Sequence, residues 1–350
     1  MLTMMMRDAN HDGNDRLFLK NYTMDDIDIP TLERYRQRFH NRYAEHPFND
    51  LDNQEFLRQM GGFTKDRESG LECLNRAGLL MFGKGLPIRD RFDNLRLDYI
   101  DKSGLIGDQR YSDRLTYDGT WENNLYNFVT MVLPKLTREL PRPSKLVGVE
   151  RDDDTPQHKA IREAMTNCII HADLMLNSVL KVEKYDDKFV FTNPGLLKLP
   201  IEQIYAGEET RARNQRIQNM FRMIGFGENL GSGFPLILSA WNEKHWLKPE
   251  LIEQRELMQV KLILSIETKN DPKNDPKNDP KSGPIELTER QYDILLVIKD
   301  NVSITREQLA QRIGISDSTI KRELAVLKNK GYLNRDGGKT YDKWIVLKEI

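Results

Sequence analysis

Glu163, Asn167 and His171 stand four residues apart in "TPQHKAIREAMTNCIIHADL", a spacing that repeats along one row of an α-helix. A carboxylate, a carboxamide and an imidazole in one line can handle a water, a divalent cation and a phosphate. Beside them Ala160, Ile161, Ala164, Met165, Cys168 and Ile169 form an apolar stripe for burial, and Thr155 as N-cap with Pro156 at the first helical position gives the helix a start. Taken alone, the row reads as a solvated helix edge.

Downstream lies "GFGENLGSGFPLI", residues 225–237. Gly225, Gly227, Gly231 and Gly233 would let backbone N–H groups approach phosphate oxygens, and a helix opening near Phe234 and Pro235 adds its N-terminal dipole. Such a loop is as often a turn or a helix cap; its pairing with the polar row points to phosphate. Between the two, "SVLKVEKYDDKFVFTNPG" reads as a strand hairpin and a helical stretch carries "RARN". A mixed α/β domain must hold these parts together.

This order resembles the ATP-binding domain of the GHKL superfamily, which includes gyrase B, MutL and the sensor histidine kinases. It is most similar to the divergent branch often labelled "RecG-related", along residues 70–266 and including "RAGLLMFGKG". The resemblance implies a Bergerat-type α+β sandwich with a mixed sheet. It also implies that Glu163 of E-x-x-x-N orients or deprotonates an attacking water and that Asn167 binds Mg²⁺. His171 falls where relatives place a phosphate-facing basic residue. Asn193, Gly195, Arg213, Gly231, Ser232 and Gly233 complete the implied purine nucleotide site, with ATP and Mg²⁺ as ligands. Superfamily members read adenine with the Asp of D-x-G-x-G; here "TNPGLLKLP" offers Asn193 instead, a weaker neutral acceptor, with Leu197 in place of the second glycine. Asn193-Pro194-Gly195 is equally read as a turn.

The 350 residues, 38% hydrophobic and 31% charged, suit a multidomain globular protein with ordinary cores. A net charge of −1 means that nucleic-acid contact must come from a local patch. Cys73 and Cys168 provide neither a disulfide framework nor a metal cluster, and no apolar run is long enough to span a membrane. A bacterial, cytoplasmic protein is expected. Residues 1–23 are expected to be mobile. Residues 24–110 form a helical and strand lead-in: helices over about 24–60, a helix over "GLECLNRAGLLMFGKG", and a strand at "NLRLDYID". Residues 111–266 form the nucleotide-binding domain, with "TWENNLYNFVTMVLPKLTREL" helical beside the site and "ELIEQRELMQVKLILSIE" a closing strand pair. Trp121, Trp241 and Trp246 are expected as core or rim anchors. In related proteins a Schlafen-type AlbA domain precedes "NYTMDDIDIPTLERYRQRF", and this sequence has no counterpart of it.

Residues 267–284 contain three tandem NDPK units, whose prolines block helix and leave nothing apolar to bury, as in a semi-extended linker. Residues 285–350 have the spacing of a winged helix-turn-helix: a first helix marked by Tyr292, Leu295, Leu296 and Ile298, a second over Thr305–Arg312, a turn at Gly314, a third capped by Ser316 and running to about Lys330, and a two-stranded wing closed by "RDGGK". Ser316, Ser318, Thr319, Lys321, Arg322 and Lys339 are the candidate DNA contacts. From Lys321 to Lys343, seven basic residues face three acidic ones, a local +4 suited to phosphates. Use of the module for protein contacts stays open, as does a homodimer. The sequence contains no P-loop and no helicase motor pattern. Together these features predict a regulator that binds duplex DNA and a nucleotide, with slow ATP hydrolysis as an accompaniment; a non-nucleotide GHKL scaffold and a nucleic-acid-dependent ATPase are the alternatives.

Overall fold

Thr23, Asp28, Asp52, Asn75, Asn124 and Thr155 each place a side-chain oxygen on the first free amides of a helical segment, so starts are set locally along the whole body. In the computed structural model the described residues are 14–140, 145–147, 150–152, 154–207, 209–227, 233–267, 289–302, 304–313, 315, 317–329, 332–336 and 343–347. The chain divides into two units, residues 1–275 and 276–350.

The first unit opens with helices α1 (Ile29–Arg42) and α2 (Asn53–Gln59), then the hairpin β1 (Phe63–Lys65) and β2 (Glu72–Leu74). Helices α3 (Arg76–Phe82) and α4 (Gly85–Arg91) and strands β3 (Arg96–Asp101) and β4 (Asp113–Leu115) follow. Next come α5 (Leu125–Thr137), the short pair β5 (Lys145–Val147) and β6 (Glu150–Asp152), α6 (Pro156–Ile170), and the hairpin β7 (Val179–Lys184) and β8 (Lys188–Pro194). Helices α7 (Ile201–Ala206), α8 (Gln215–Met223) and α9 (Gly233–Glu243) precede the last pair, β9 (Glu250–Gln254) and β10 (Gln259–Ser265). Six strands form one mixed sheet in the order β4-β3-β7-β8-β10-β9, in which only β3 and β7 run parallel. The fold is therefore α/β with a mixed sheet. The lead-in region, residues 24–110, supplies β3 of that sheet, which pairs with β4 and β7 of the central region, so the two regions are continuous.

Helices α5, α6 and α9 cover the sheet because their apolar stripes match its inner face. Phe128, Val132, Ile161, Met165, Ile169, Phe191, Ile237, Trp241 and Leu264 are buried in one cluster. Trp241 is fully buried, donates from Nε1 to Ser265 O at 2.6 Å and packs edge-on against Trp246; Trp121 stacks on Phe128.

Three expectations need correction. Residues 14–23 are not loose: Asp15 and Leu19 are buried, Leu19 N donates to Leu74 O at 2.9 Å, and Ile217 N donates to Asp15 Oδ2 at 2.9 Å. Backbone and carboxylate bonds to residues distant in sequence hold this segment, which no local periodicity signals. "GLECLNRAGLLMFGKG" is a strand and one short helix rather than one helix, because Leu74 pairs with Phe63 and the Asn75 side chain accepts from Gly78 N. "RARN" lies in the connection before α8 rather than inside a helix. The expected linker lies outside the described residues except Glu267, whose carbonyl accepts from Leu247 N.

The second unit is a winged helix: α10 (Glu289–Asp300), α11 (Arg306–Ile313) and α12 (Asp317–Asn329), then β11 (Leu333–Asp336) paired antiparallel with β12 (Lys343–Val346). Its core is Ile294, Leu295, Ile298, Ile304, Leu309, Ile320, Leu324, Leu327, Leu333 and Trp344. Of the residues that mark the first helix, Leu295 and Ile298 are buried with Ile294, while Tyr292 and Leu296 are 42% and 43% exposed. Thr305 caps α11 reciprocally, accepting from Gln308 N at 3.2 Å while its own N–H reaches Gln308 Oε1 at 3.0 Å. Gly314 and Ser316 lie outside the described residues.

Candidate functional site

On α6 the predicted row forms. Glu163 is buried, and Asn167 Nδ2 donates to Glu163 Oε1 at 3.1 Å, so the bond uses the Asn167 amide nitrogen and not its carbonyl oxygen. The two residues line a cavity of about 120 Å³ together with Cys168, His171, Phe191 and Asn193. Its floor follows from strand alternation. Asn193 pairs with Val260 and Phe191 with Leu262, so all four side chains share the face turned toward α6. Ligand sites typically measure roughly 300–1,000 Å³, so this cavity admits a base-sized group and takes more only if its walls move.

Two glycines bracket the carboxylate. A Cβ on Gly233, the first residue of α9, would lie 2.1 Å from Glu163 Oε1 and 3.3 Å from Asn167 Nδ2. Gly227, at φ +87°, passes with its Cβ position 3.4 Å from Thr166 Cγ2 and 3.8 Å from Glu163 Oε2. Gly227 and Gly233 of the Gly-rich segment thus both approach the E-x-x-x-N pair. Gly231 and Ser232 lie outside the described residues.

Three predicted ligands have other roles in the fold. His171 lines the cavity and caps α6 at its C-terminal end, and burial, followed by the charges of Arg213 and Lys198, pushes its imidazole down to about 4. Arg213 is 5% exposed, and its guanidinium donates to His171 O at 2.8 Å and to Leu196 O at 2.6 Å. Gly195 does not line the cavity. Its φ is +103°, and a Cβ there would meet Arg213 Nη1 at 3.1 Å, so the glycine serves the turn that Arg213 clasps. Asn193 stays a candidate: it is buried in the cavity wall, and its contact to Pro194 O is at the 3.5 Å limit.

Asn214 is the residue the sequence reading passed over. Backbone amides of Arg213 and Asn214 donate to Ile170 O, Asn214 Nδ2 donates to Ile169 O and Ala172 O, and Arg213 takes His171 O. The carbonyls at the end of α6, which a helix cannot satisfy itself, are thereby paired by "RARN". An Arg-Asn pair before an amphipathic helix was the available signal, but nothing local says which carbonyls it serves. Among the described residues no group of three or more His, Cys, Asp or Glu side chains could hold a metal, so a cation here would depend on Asn167, Glu163, waters and the ligand's own oxygens.

In the winged helix, Lys321 and Lys328 of α12 are exposed and Thr319 is half-buried. Ser318 and Arg322 lie on the same helix, with side chains outside the described set; Lys339 and Ser316 fall outside it altogether. Glu323, counted against the basic face, is buried and accepts from Gln291 Nε2 at 2.9 Å. The exposed charge of the helix is correspondingly more positive. Among the described residues no helix is long and apolar enough to cross a membrane.

Comparison with known proteins agrees with this division. Residues 3–98 match a family model described as "Domain of unknown function (DUF8451)", residues 178–262 one described as "Putative ATP-dependent DNA helicase recG C-terminal", and residues 285–340 the "LexA DNA binding domain". Over 49 residues the chain is 39% identical to the "Transcriptional repressor CcpN" of Bacillus subtilis, a match covering 14% of this chain and 23% of that protein. The crystal structure of the DIP2311 protein from Corynebacterium diphtheriae is similar in fold, with a TM-score of 0.53, 17% identity and coverage of 98% of this chain and 66% of that one. The chain thus spans under two thirds of either relative. It carries an ATPase-like central region and a C-terminal DNA-binding domain.

Proposed function

We propose that this chain is a transcriptional regulator whose body binds a purine nucleotide with Mg²⁺ and whose winged helix binds duplex DNA. The observation that carries the nucleotide half is the Asn167–Glu163 pair, set in the cavity wall and bracketed by Gly227 and Gly233. Asn167 would hold the cation through its amide oxygen, Asn193 would meet the base edge, and the apolar faces of Phe191, Val260 and Leu262 would pack on the ring. Bound Mg²⁺ would neutralise phosphate charge, and Glu163 is placed to polarise a water. The basic, exposed α12 and the match to a LexA-type domain support the DNA half. Calorimetry of the full chain with Mg²⁺-ATP and Mg²⁺-ADP tests the first half, with Asn167→Ala expected to weaken binding by ~1–3 kcal/mol.

One observation favours a second reading, a scaffold that binds no nucleotide. His171 is uncharged and Arg213 is engaged on carbonyls, so the cations expected for phosphate are committed elsewhere. Absence of heat with any purine nucleotide at millimolar concentration would select it.

A further inference from the structure

Helix α1 carries arginines in two distinct settings. Its buried stripe is Thr31, Leu32, Tyr35 and Phe39. Arg36 is consumed by the fold, donating to Asn49 O, Leu51 O and Asn53 Oδ1. Arg34, Arg38 and Arg42, at i, i+4 and i+8, make a single exposed ridge whose members follow one another at roughly 6 Å. Like charges so spaced repel and destabilise a helix. Among the described residues none of the three forms an ion pair. Arg34 donates to Asn127 Oδ1 at 2.8 Å and Thr31 Oγ1 at 2.9 Å, and Arg42 Nε donates to the Tyr43 hydroxyl at 3.2 Å.

Arg38 is held by stacking. Its guanidinium carbon lies 4.1 Å from the centroid of Phe226, and Arg162 of α6 approaches the same ring at 5.8 Å. Desolvation and then the charge of Arg162 push the Arg38 guanidinium below its ordinary value, with Tyr126 and Asp154 opposing. Asp154, the carboxylate in this group, is bonded to Arg162. Phe226 is buried, so it orients the two cations without offering a stacking face of its own. Gly225, at φ +78°, lets the backbone pass under Arg42, whose Nη1 lies 2.5 Å from where a Cβ would stand.

We propose that the ridge Arg34–Arg38–Arg42, extended at its centre by Arg162, binds the phosphodiester backbone of a nucleic acid, giving the body a phosphate-contacting surface separate from the winged helix. An open row of planar donors at regular spacing suits successive phosphates on a strand; one small anion would need an enclosure, which the ridge lacks. No base is read here, so the contact is independent of sequence. The nucleotide site is not required for it.

Full-length protein titrated with duplex and with single-stranded oligonucleotides across a salt series tests this. For Arg38→Ala/Arg42→Ala the slope of log K against log salt should flatten by about 2 on duplex, and by slightly less on single strands. Arg38→Lys/Arg42→Lys, which keeps both charges, should restore the slope, and Lys321→Ala should add its own reduction independently. An unchanged slope in the double alanine variant would show a merely solvated face. Failure of the lysine variant to restore it would assign Arg38 to packing on Phe226 and Arg42 to its contact with Tyr43. Loss of Mg²⁺-ATP binding with DNA affinity intact would make the ligand a nucleotide's phosphate and overturn the proposal.

Discussion

The cavity on α6 and the surface of α12 solve the same problem, displaying polar groups on a helix, in opposite ways. In the cavity the polar residues are also packing residues: Glu163 and Arg213 are buried, and His171 and Arg213 hold the end of the helix that carries the site. On α12 the two jobs are split by helical phase, with Ile320, Leu324 and Leu327 inside and Lys321 and Lys328 outside. Where display and packing coincide, a substitution alters stability and binding together. Where they are separated, it alters binding alone.

The sharpest test is Glu163→Gln, which keeps shape and the bond from Asn167 but removes the charge. If the body hydrolyses ATP, turnover should drop by roughly 10²–10⁴-fold with nucleotide retained, measured as phosphate release. Equal release by both proteins would make Glu163 a packing residue only. Next is Arg213→Ala, which strands the carbonyls of His171 and Leu196 and should cost about 3 kcal/mol in denaturant unfolding of the body. A cost near zero would break the coincidence of roles argued here.

His171 gives a smaller, pH-dependent effect. Its folded value, about 4, lies below its ordinary 6.5, so between these limits the unfolded chain takes up a proton that the folded chain refuses. Its contribution is complete above about pH 6.5 and is lost as pH falls toward 4, amounting to about 1–3 kcal/mol. Unfolding of His171→Asn followed over that range should show a shallower slope than the parent; equal slopes would mean a freely titrating ring. The smallest stability effect belongs to α12: Lys321→Ala should stay within about 0.5 kcal/mol in unfolding while lowering the DNA salt slope by about 1. A destabilised variant would show that display and packing are joined there too.

The features legible in the sequence were those with a period. The four-residue row of α6, the strand hairpin after it, and the three helices and two-stranded wing of the second unit emerge as read, although Tyr292 and Leu296 lie outside the core. Contacts between distant polar groups had no such signature. Arg213 reads as a phosphate ligand because a guanidinium recognises any oxygen, and only the tertiary fold brings the carbonyls of His171 and Leu196 within 2.8 Å. "GLECLNRAGLLMFGKG" reads as one helix, whereas the pairing of Leu74 with Phe63 and the cap at Asn75 divide it.

Asp15 joins parts of the chain 202 residues apart, through its bond from Ile217 N, and Asn14 N reaches Arg213 O beside it. A contact of that separation closes a very long loop, so its entropy cost must be met by structure formed earlier. During synthesis the segment emerges long before its partner exists and must wait for α8. It is therefore expected to join the body late in folding and leave it early, with Ile217 among the first helical amides of the body to exchange with solvent.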